Sequence, residues 1–123
     1  MHQQIVPMLH VVDLRASISF YERIGFSAIE TYDDEGELTF AIMQFGNGLV
    51  MLNCGGTARD TARRDADLYI YTDVDELYPR LKKSVEMVVD LNDTFYGNRE
   101  FTIRDNDGFW ITFGMIATRE TPS

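Results

Sequence analysis

Thiol and imidazole side chains, the usual thiolate nucleophile and nitrogen ligands, are scarce in this sequence: one cysteine, Cys54, and two histidines, His2 and His10. Cys54 sits in the turn-like stretch Cys54-Gly55-Gly56, with neither a neighbouring histidine nor a helix start to generate a thiolate, so it is not read as a nucleophile. A single cysteine also excludes an intramolecular disulfide. His2 lies close to a terminus, where side chains are seldom held in place. Eleven basic against twenty acidic residues give a formal charge of −9. So acidic a chain repels phosphate backbones and anionic lipid, which excludes nucleic acid and membrane surfaces as partners, and it draws cations toward any acidic cleft.

The elements that must position any site come next. At 123 residues, with 45% apolar and 25% charged side chains, the composition is that of a globular chain able to bury a core without staples. Ile5 to Val12 is an apolar run of strand length. Asp13 follows as an N-cap, because Leu14, Ile18 and Tyr21 recur at helical spacing, and Gly25 is placed to end that helix. Phe26 to Tyr32 reads as a strand and Asp33-Asp34-Glu35-Gly36 as a turn. Leu38 to Phe45 and Leu49 to Asn53 read as a hairpin about Asn47-Gly48, a type I′ signal. Gly55 to Asp65 is polar and aperiodic, a linker.

The order then repeats. Leu68 to Thr72 is a strand, and Asp73 to about Lys83 is a helix with Asp73 and Glu76 at capping-box spacing. Val85 to Leu91, Arg99 to Arg104 and Phe109 to Met115 are strands, with Asp107-Gly108 as a turn. Pro79 conflicts with the helix, since a proline there removes a hydrogen bond and crowds the preceding turn; the helix either begins after Asp73 or kinks. The opening MHQQIVPML lacks a basic stretch leading into an apolar core, and no apolar run approaches the roughly 20 residues of a membrane span. A cytoplasmic location is expected.

Asp13 and Asp73, the two helix caps, stand 60 residues apart, as do the turn glycines Gly48 and Gly108. One offset shared by two kinds of landmark points to a duplicated β-α-β-β-β unit. Such a duplication resembles the vicinal-oxygen-chelate (glyoxalase/bleomycin resistance protein/dioxygenase) superfamily. Pro7-Met8-Leu9-His10-Val11-Val12-Asp13-Leu14, Ser17-Ile18, Phe20-Tyr21 and Gly25-Phe26 are similar to the opening of that family. Asp73-Val74-Asp75-Glu76-Leu77-Tyr78, Tyr96-Gly97-Asn98-Arg99-Glu100-Phe101 and Arg104-Asp105-Asn106-Asp107-Gly108 resemble its bleomycin-resistance subgroup. The subgroup pattern there is Asp-Glu-Leu-Tyr, aromatic-Gly-x-Arg-Glu-Phe and Arg-Asp-Pro-x-Gly. The likeness spans about Ile5 to Phe113. It departs at Asn106, where the family has proline, and at Phe109, where it has asparagine. Both are turn positions, so a local change of geometry within an intact fold is expected.

The fold class implied is α+β: two tandem β-α-β-β-β modules forming curved, cup-shaped mixed sheets with helices on the outer face. A single domain over residues 1–123 would comprise module one at about 4–53, a linker at about 54–66, module two at about 67–115 and a tail at 116–123. Catalytic relatives hold a divalent ion with His, Glu or Gln from four strands. Carried over one at a time, those positions fall at Val6 or Pro7, near Met51, at Ala66 or Asp67, and at Thr112. Only Asp67 is a strong donor, and one carboxylate does not hold a catalytic ion. His10 stands too close to Asp13 for the first-strand position. No metal, no other cofactor and no catalytic residue is expected.

A binding cleft is what the resemblance implies instead. With residues 67 and 112 marking the inner face of the cup, strand alternation places Tyr69, Tyr71, Trp110 and Gly114 on it, and Leu68, Ile70, Ile111 and Phe113 against the helices. Tyr96 falls on the aromatic that the resemblance assigns to ligand stacking, and Phe40 and Phe95 are further candidates. Aromatic walls suit a planar ligand, above all a cation. Arg99 and Glu100, adjacent on a strand, point to opposite faces, and both are read as structural. The expected function is metal-independent binding by a homodimer, sequestering a planar, cationic antibiotic or related compound. Other readings stay open: a metal-dependent glyoxalase-like lyase, isomerase or thiol transferase, a metabolite-binding relative with no resistance role, and an interaction domain. Pairing of the modules within one chain or across a dimer is open as well.

Overall fold

The computed structural model describes residues 5–56 and 67–117; His2, Ala66, most of the expected linker and the end of the expected tail lie outside them. The elements run β1 (Met8–His10), α1 (Leu14–Arg23), β2 (Ser27–Asp34), β3 (Glu37–Phe45) and β4 (Gly48–Asn53), then β5 (Asp67–Tyr71), α2 (Val74–Leu81), β6 (Glu86–Asp93), β7 (Asn98–Arg104) and β8 (Trp110–Ile116). The chain divides into two compact units, Met1–Arg59 and Asp60–Ser123. Each holds one open, curved, four-stranded mixed sheet, ordered β1-β4-β3-β2 in the first and β5-β8-β7-β6 in the second. In each, the first and last strands pair in parallel and the others antiparallel. The duplicated β-α-β-β-β topology is therefore present.

Both helices start on the aspartates that the sequence marks. Asp13 accepts the N–H of Ala16 at 3.1 Å and Asp73 that of Glu76 at 3.2 Å, each satisfying a donor that the first helical turn leaves open. α1 ends at Gly25, whose φ of 118° suits only glycine. The Gly25 N–H reaches Glu22 and the Phe26 N–H reaches Tyr21, the paired end bonds of a helix that stops sharply. Pro79 lies inside α2, yet the helix does not start late; it ends at Leu81 rather than near Lys83. Pro79 is the sixth of the eight helical residues, so its missing donor removes a single bond, the one to the Asp75 carbonyl, and the helix ends two residues later.

In the first unit, Leu14, Ser17, Phe20 and Tyr21 of α1 are buried together with Ala41, Met43, Val50 and Leu52 of the sheet. Ile18, expected on the buried stripe, is only half-buried, and Ser17 takes the seam, where a small side chain fits between helix and strands. The hairpin between β3 and β4 also differs from expectation. Phe45 pairs with Gly48, so Gly46 and Asn47 are the central residues, and the positive φ falls at Gly46 (60°) alone. That is the type II′ pattern, not type I′, because Gly46 takes the left-handed position without a Cβ penalty. The type I′ pattern appears instead between β2 and β3, where Glu35 (φ 54°) and Gly36 (φ 88°) are both left-handed.

The second unit stacks α2 on one face of its sheet. Val74, Leu77 and Leu81 are buried with Phe101, Ile103, Ile111 and Phe113. The Tyr78 and Phe101 rings meet at 5.2 Å, and so do those of Phe101 and Phe113. Arg99 bonds Asp75 of α2 at 2.8 Å and Asp93 of β6 at 3.0 Å, clamping the helix to the edge strand. Despite Asn106 and Phe109, the turn before β8 is well held: the Asp105 carboxylate accepts the N–H groups of Asp107 (2.8 Å) and Phe109 (2.9 Å). Among the described residues, no helix is long and apolar enough to cross a membrane.

Candidate functional site

The face of the second sheet turned away from α2 carries a different set of residues. Strand alternation assigns its rows, and register aligns them across strands. Tyr69 pairs with Thr112 and Tyr71 with Gly114, while Thr112 pairs with Thr102, Gly114 with Glu100 and Trp110 with Arg104. The face is thus aromatic on β5, small and polar on β8 except for Trp110, and polar or charged on β7. Leu68 and Ile70 alternate to the other side and are half-buried.

Glu100 is the centre of this face. It is only 8% exposed, and its carboxylate accepts the Tyr69 hydroxyl at 2.6 Å. The Tyr96 hydroxyl stands 2.8 and 2.9 Å from its two oxygens. Asn98 donates its side-chain amide to the Tyr69 hydroxyl at 2.9 Å. Tyr69 reaches Glu100 by lying across β8 at Gly114; a Cβ on Gly114 would stand 2.0 Å from the phenol oxygen. Glycine at that position is space for a side chain, not a turn. Burial, then the bond to Glu100, pushes the Tyr69 phenol up to about 12. The bond to Glu100, then burial, raises that of Tyr96 as well. Both phenols stay protonated donors at neutral pH.

Around this carboxylate the rings stay open to solvent. Tyr71 is 69% exposed and its ring lies 4.9 Å from that of Tyr69. Tyr96 and the almost fully exposed Phe95 follow β6 in the turn before β7, ring to edge at 5.1 Å. Of the aromatics that the sequence singles out, the structure gathers Tyr69, Tyr71 and Tyr96 about one polar centre. Trp110 sits on the same face beside Arg104, and Phe95 stands at the turn. Phe40 belongs to the first unit, half-buried on β3 with its ring 5.7 Å from Tyr32.

Three residues, Glu100, Asn98 and Thr102, escape a reading of sequence alone. Glu100, read as structural like Arg99, faces the aromatic row, whereas Arg99 fills its structural place on the other side. Asn98 shares the Glu100 row two residues away. Thr102 and Thr112 lock their hydroxyls at 2.8 Å and close the floor between strands. Alternation from Glu100 was the available signal, but its side of the sheet depends on register.

The donor positions of metal-holding relatives do not fit an ion here. Val6, Pro7 and Met51 offer no side-chain oxygen or nitrogen, the Thr112 hydroxyl is bonded to Thr102, and Asp67 is an exposed residue at the start of β5. Among the described residues, no group of three or more His, Cys, Asp or Glu side chains is placed to hold a metal. A hollow of about 430 Å³ lies elsewhere in the unit, bounded by Tyr78, Lys82, Lys83 and Asp90 among others. Its two lysines make it a poor place for a cation.

Residues 4–113 match the family described as the Glyoxalase/Bleomycin resistance protein/Dioxygenase superfamily. No curated protein sequence matches the chain significantly. Among solved structures, TioX from Micromonospora sp. ML1 is similar with a TM-score of 0.77 at 21% identity, over 94% of this chain and 99% of that one. A bleomycin-binding protein in complex with bleomycin gives 0.69 at 19% identity, over 96% and 100%. The fosfomycin resistance protein FosX from Listeria monocytogenes gives 0.72 at 17%, over 94% and 93%. At these identities the likeness shows a shared fold.

Proposed function

The chain belongs to the Glyoxalase/Bleomycin resistance protein/Dioxygenase superfamily, and from that premise we propose that it is a metal-independent binding protein for a planar, cationic small molecule. The observation that carries this reading is the buried Glu100 carboxylate with Tyr69, Tyr71 and Tyr96 around it. Exposed rings that flank a negative centre give a flat cation two attractions at once, stacking and charge. Each cation–ring contact contributes about 0.5–2 kcal/mol, more as water is excluded. The unfitted donor positions support binding without metal-assisted chemistry. Sequestration then acts by mass action: with protein in excess, the free concentration of the bound compound falls.

Bleomycin is the first compound to try, since a bleomycin-binding protein shares the fold and the glycopeptide carries both a planar bithiazole and a cationic tail. Metal-free and copper-loaded bleomycin are titrated while following Trp110, the one tryptophan of the sequence, with calorimetry alongside to separate binding from quenching by copper. The expected result is saturable binding at micromolar concentration or tighter, about −8 kcal/mol. No heat and no change in fluorescence would remove bleomycin and leave other planar cations to be tried.

A further inference from the structure

We propose that Glu100 is the charge-recognising residue of this face, and that its ligand is a planar aromatic bearing a forked pair of N–H donors, an amidinium or its equivalent, which takes the place of the Tyr96 hydroxyl. The inference rests on the binding function proposed above and names the chemistry it selects.

The two phenols on Glu100 are not equivalent. Tyr69 is built in: its hydroxyl gives one bond to Glu100, receives one from Asn98, and occupies the gap that Gly114 leaves. Tyr96 belongs to the turn closed by the Thr94 and Asn98 backbone, and more than half of its surface is exposed. Its hydroxyl is almost equidistant from both carboxylate oxygens. Tyr69 already serves one oxygen and the single Tyr96 proton can serve the other, so two donors meet a carboxylate that can accept about four, and its acceptor capacity is only partly used. Two parallel N–H groups on a cation match both oxygens and make the stronger, charge-assisted bonds. Among the described residues, no lysine or arginine is ion-paired with Glu100; Arg99 is turned to Asp75 and Asp93, and Arg104 to Glu86. Among the described residues, phenols therefore stand on the Glu100 carboxylate in the place where buried carboxylates ordinarily have a cation. The site excludes a quaternary ammonium as its preferred ligand, because such a cation has no N–H to give.

The test uses the full chain and three probes of one shape, measured by calorimetry: 2-naphthamidine, neutral 2-naphthamide, and 2-naphthyltrimethylammonium. The amidine is expected to bind at least tenfold tighter than either of the others. Glu100→Gln should abolish that preference. Tyr96→Phe, which keeps the ring and removes the competing hydroxyl, should tighten the amidine several-fold and widen its preference over the amide by a similar factor. Tyr96→Phe alters an exposed turn residue, so it decides the matter even if Glu100→Gln does not fold. Equal binding of the three probes, or weaker amidine binding in Tyr96→Phe, would overturn the role of Glu100 while the aromatic binding face stands. If none of the three binds, the binding function falls too.

Discussion

At the scale of single residues, Gly114 and Tyr69 form a pair defined by contact. The Tyr69 phenol occupies the volume that any Cβ at position 114 would need. Gly114→Ala must push that ring aside, an overpacking change that costs about 1–3 kcal/mol. It should also break the bond to Glu100. The Tyr69 phenol, held up at about 12 by burial and by Glu100, then titrates closer to the ordinary tyrosine value. Tyrosinate absorbance during an alkaline titration reads this directly. The sign follows from linkage: a phenol raised in the folded state adds stability that is complete below its unfolded value and fades as pH climbs through its folded one. The stability gap between wild type and Gly114→Ala should therefore be constant at neutral pH and narrow from about pH 10 upward. A gap that does not change with pH would mean that the Tyr69–Glu100 bond contributes nothing.

At the scale of elements, the duplicated caps make a controlled comparison. Asp13 and Asp73 each accept the N–H three residues on, at nearly equal distances, so each substitution to alanine should cost about 1 kcal/mol. α2 is the shorter helix and carries Pro79, which leaves it fewer bonds to absorb the loss. Chemical denaturation should show Asp73→Ala at least as destabilising as Asp13→Ala. The reverse order would indicate that the Arg99 clamp to Asp75 and Asp93, not the cap, holds the start of α2. The clamp itself concerns the site, because Arg99 and Glu100 are neighbours on β7. Fixing one side of the strand to the helix fixes the carboxylate on the other.

At the scale of the whole molecule, the proposed assembly is a homodimer that binds without altering its ligand. Light scattering at physiological ionic strength should give about twice the chain mass of 14.1 kDa. A chain with a formal charge of −9 repels its copies, so the dimer should loosen as salt is lowered. A monomer at every salt concentration would remove the dimer from the proposal and leave the face of the second unit as the whole binding surface. The charge also acts on the ligand: an acidic molecule concentrates cations near a cleft before any contact forms.

Sequence by itself determined the scaffold. Two capping aspartates at one offset, Gly25 after the first helix and the turn clusters between apolar runs specify β-α-β-β-β twice, because caps and turns act within a few residues of chain. Alternation, anchored at positions 67 and 112 by the family resemblance, put Tyr69, Tyr71 and Trp110 on one face. Tertiary structure decided the rest. Which row of β7 meets those aromatics depends on register, and a slip of one residue exchanges Glu100 for Arg99. Even the local turn was undecided, since Gly46 took the positive φ that Asn47-Gly48 appeared fit to take. The long reach of Tyr69 over Gly114 joins three strands separated in sequence, and only their packing brings the phenol and carboxylate together.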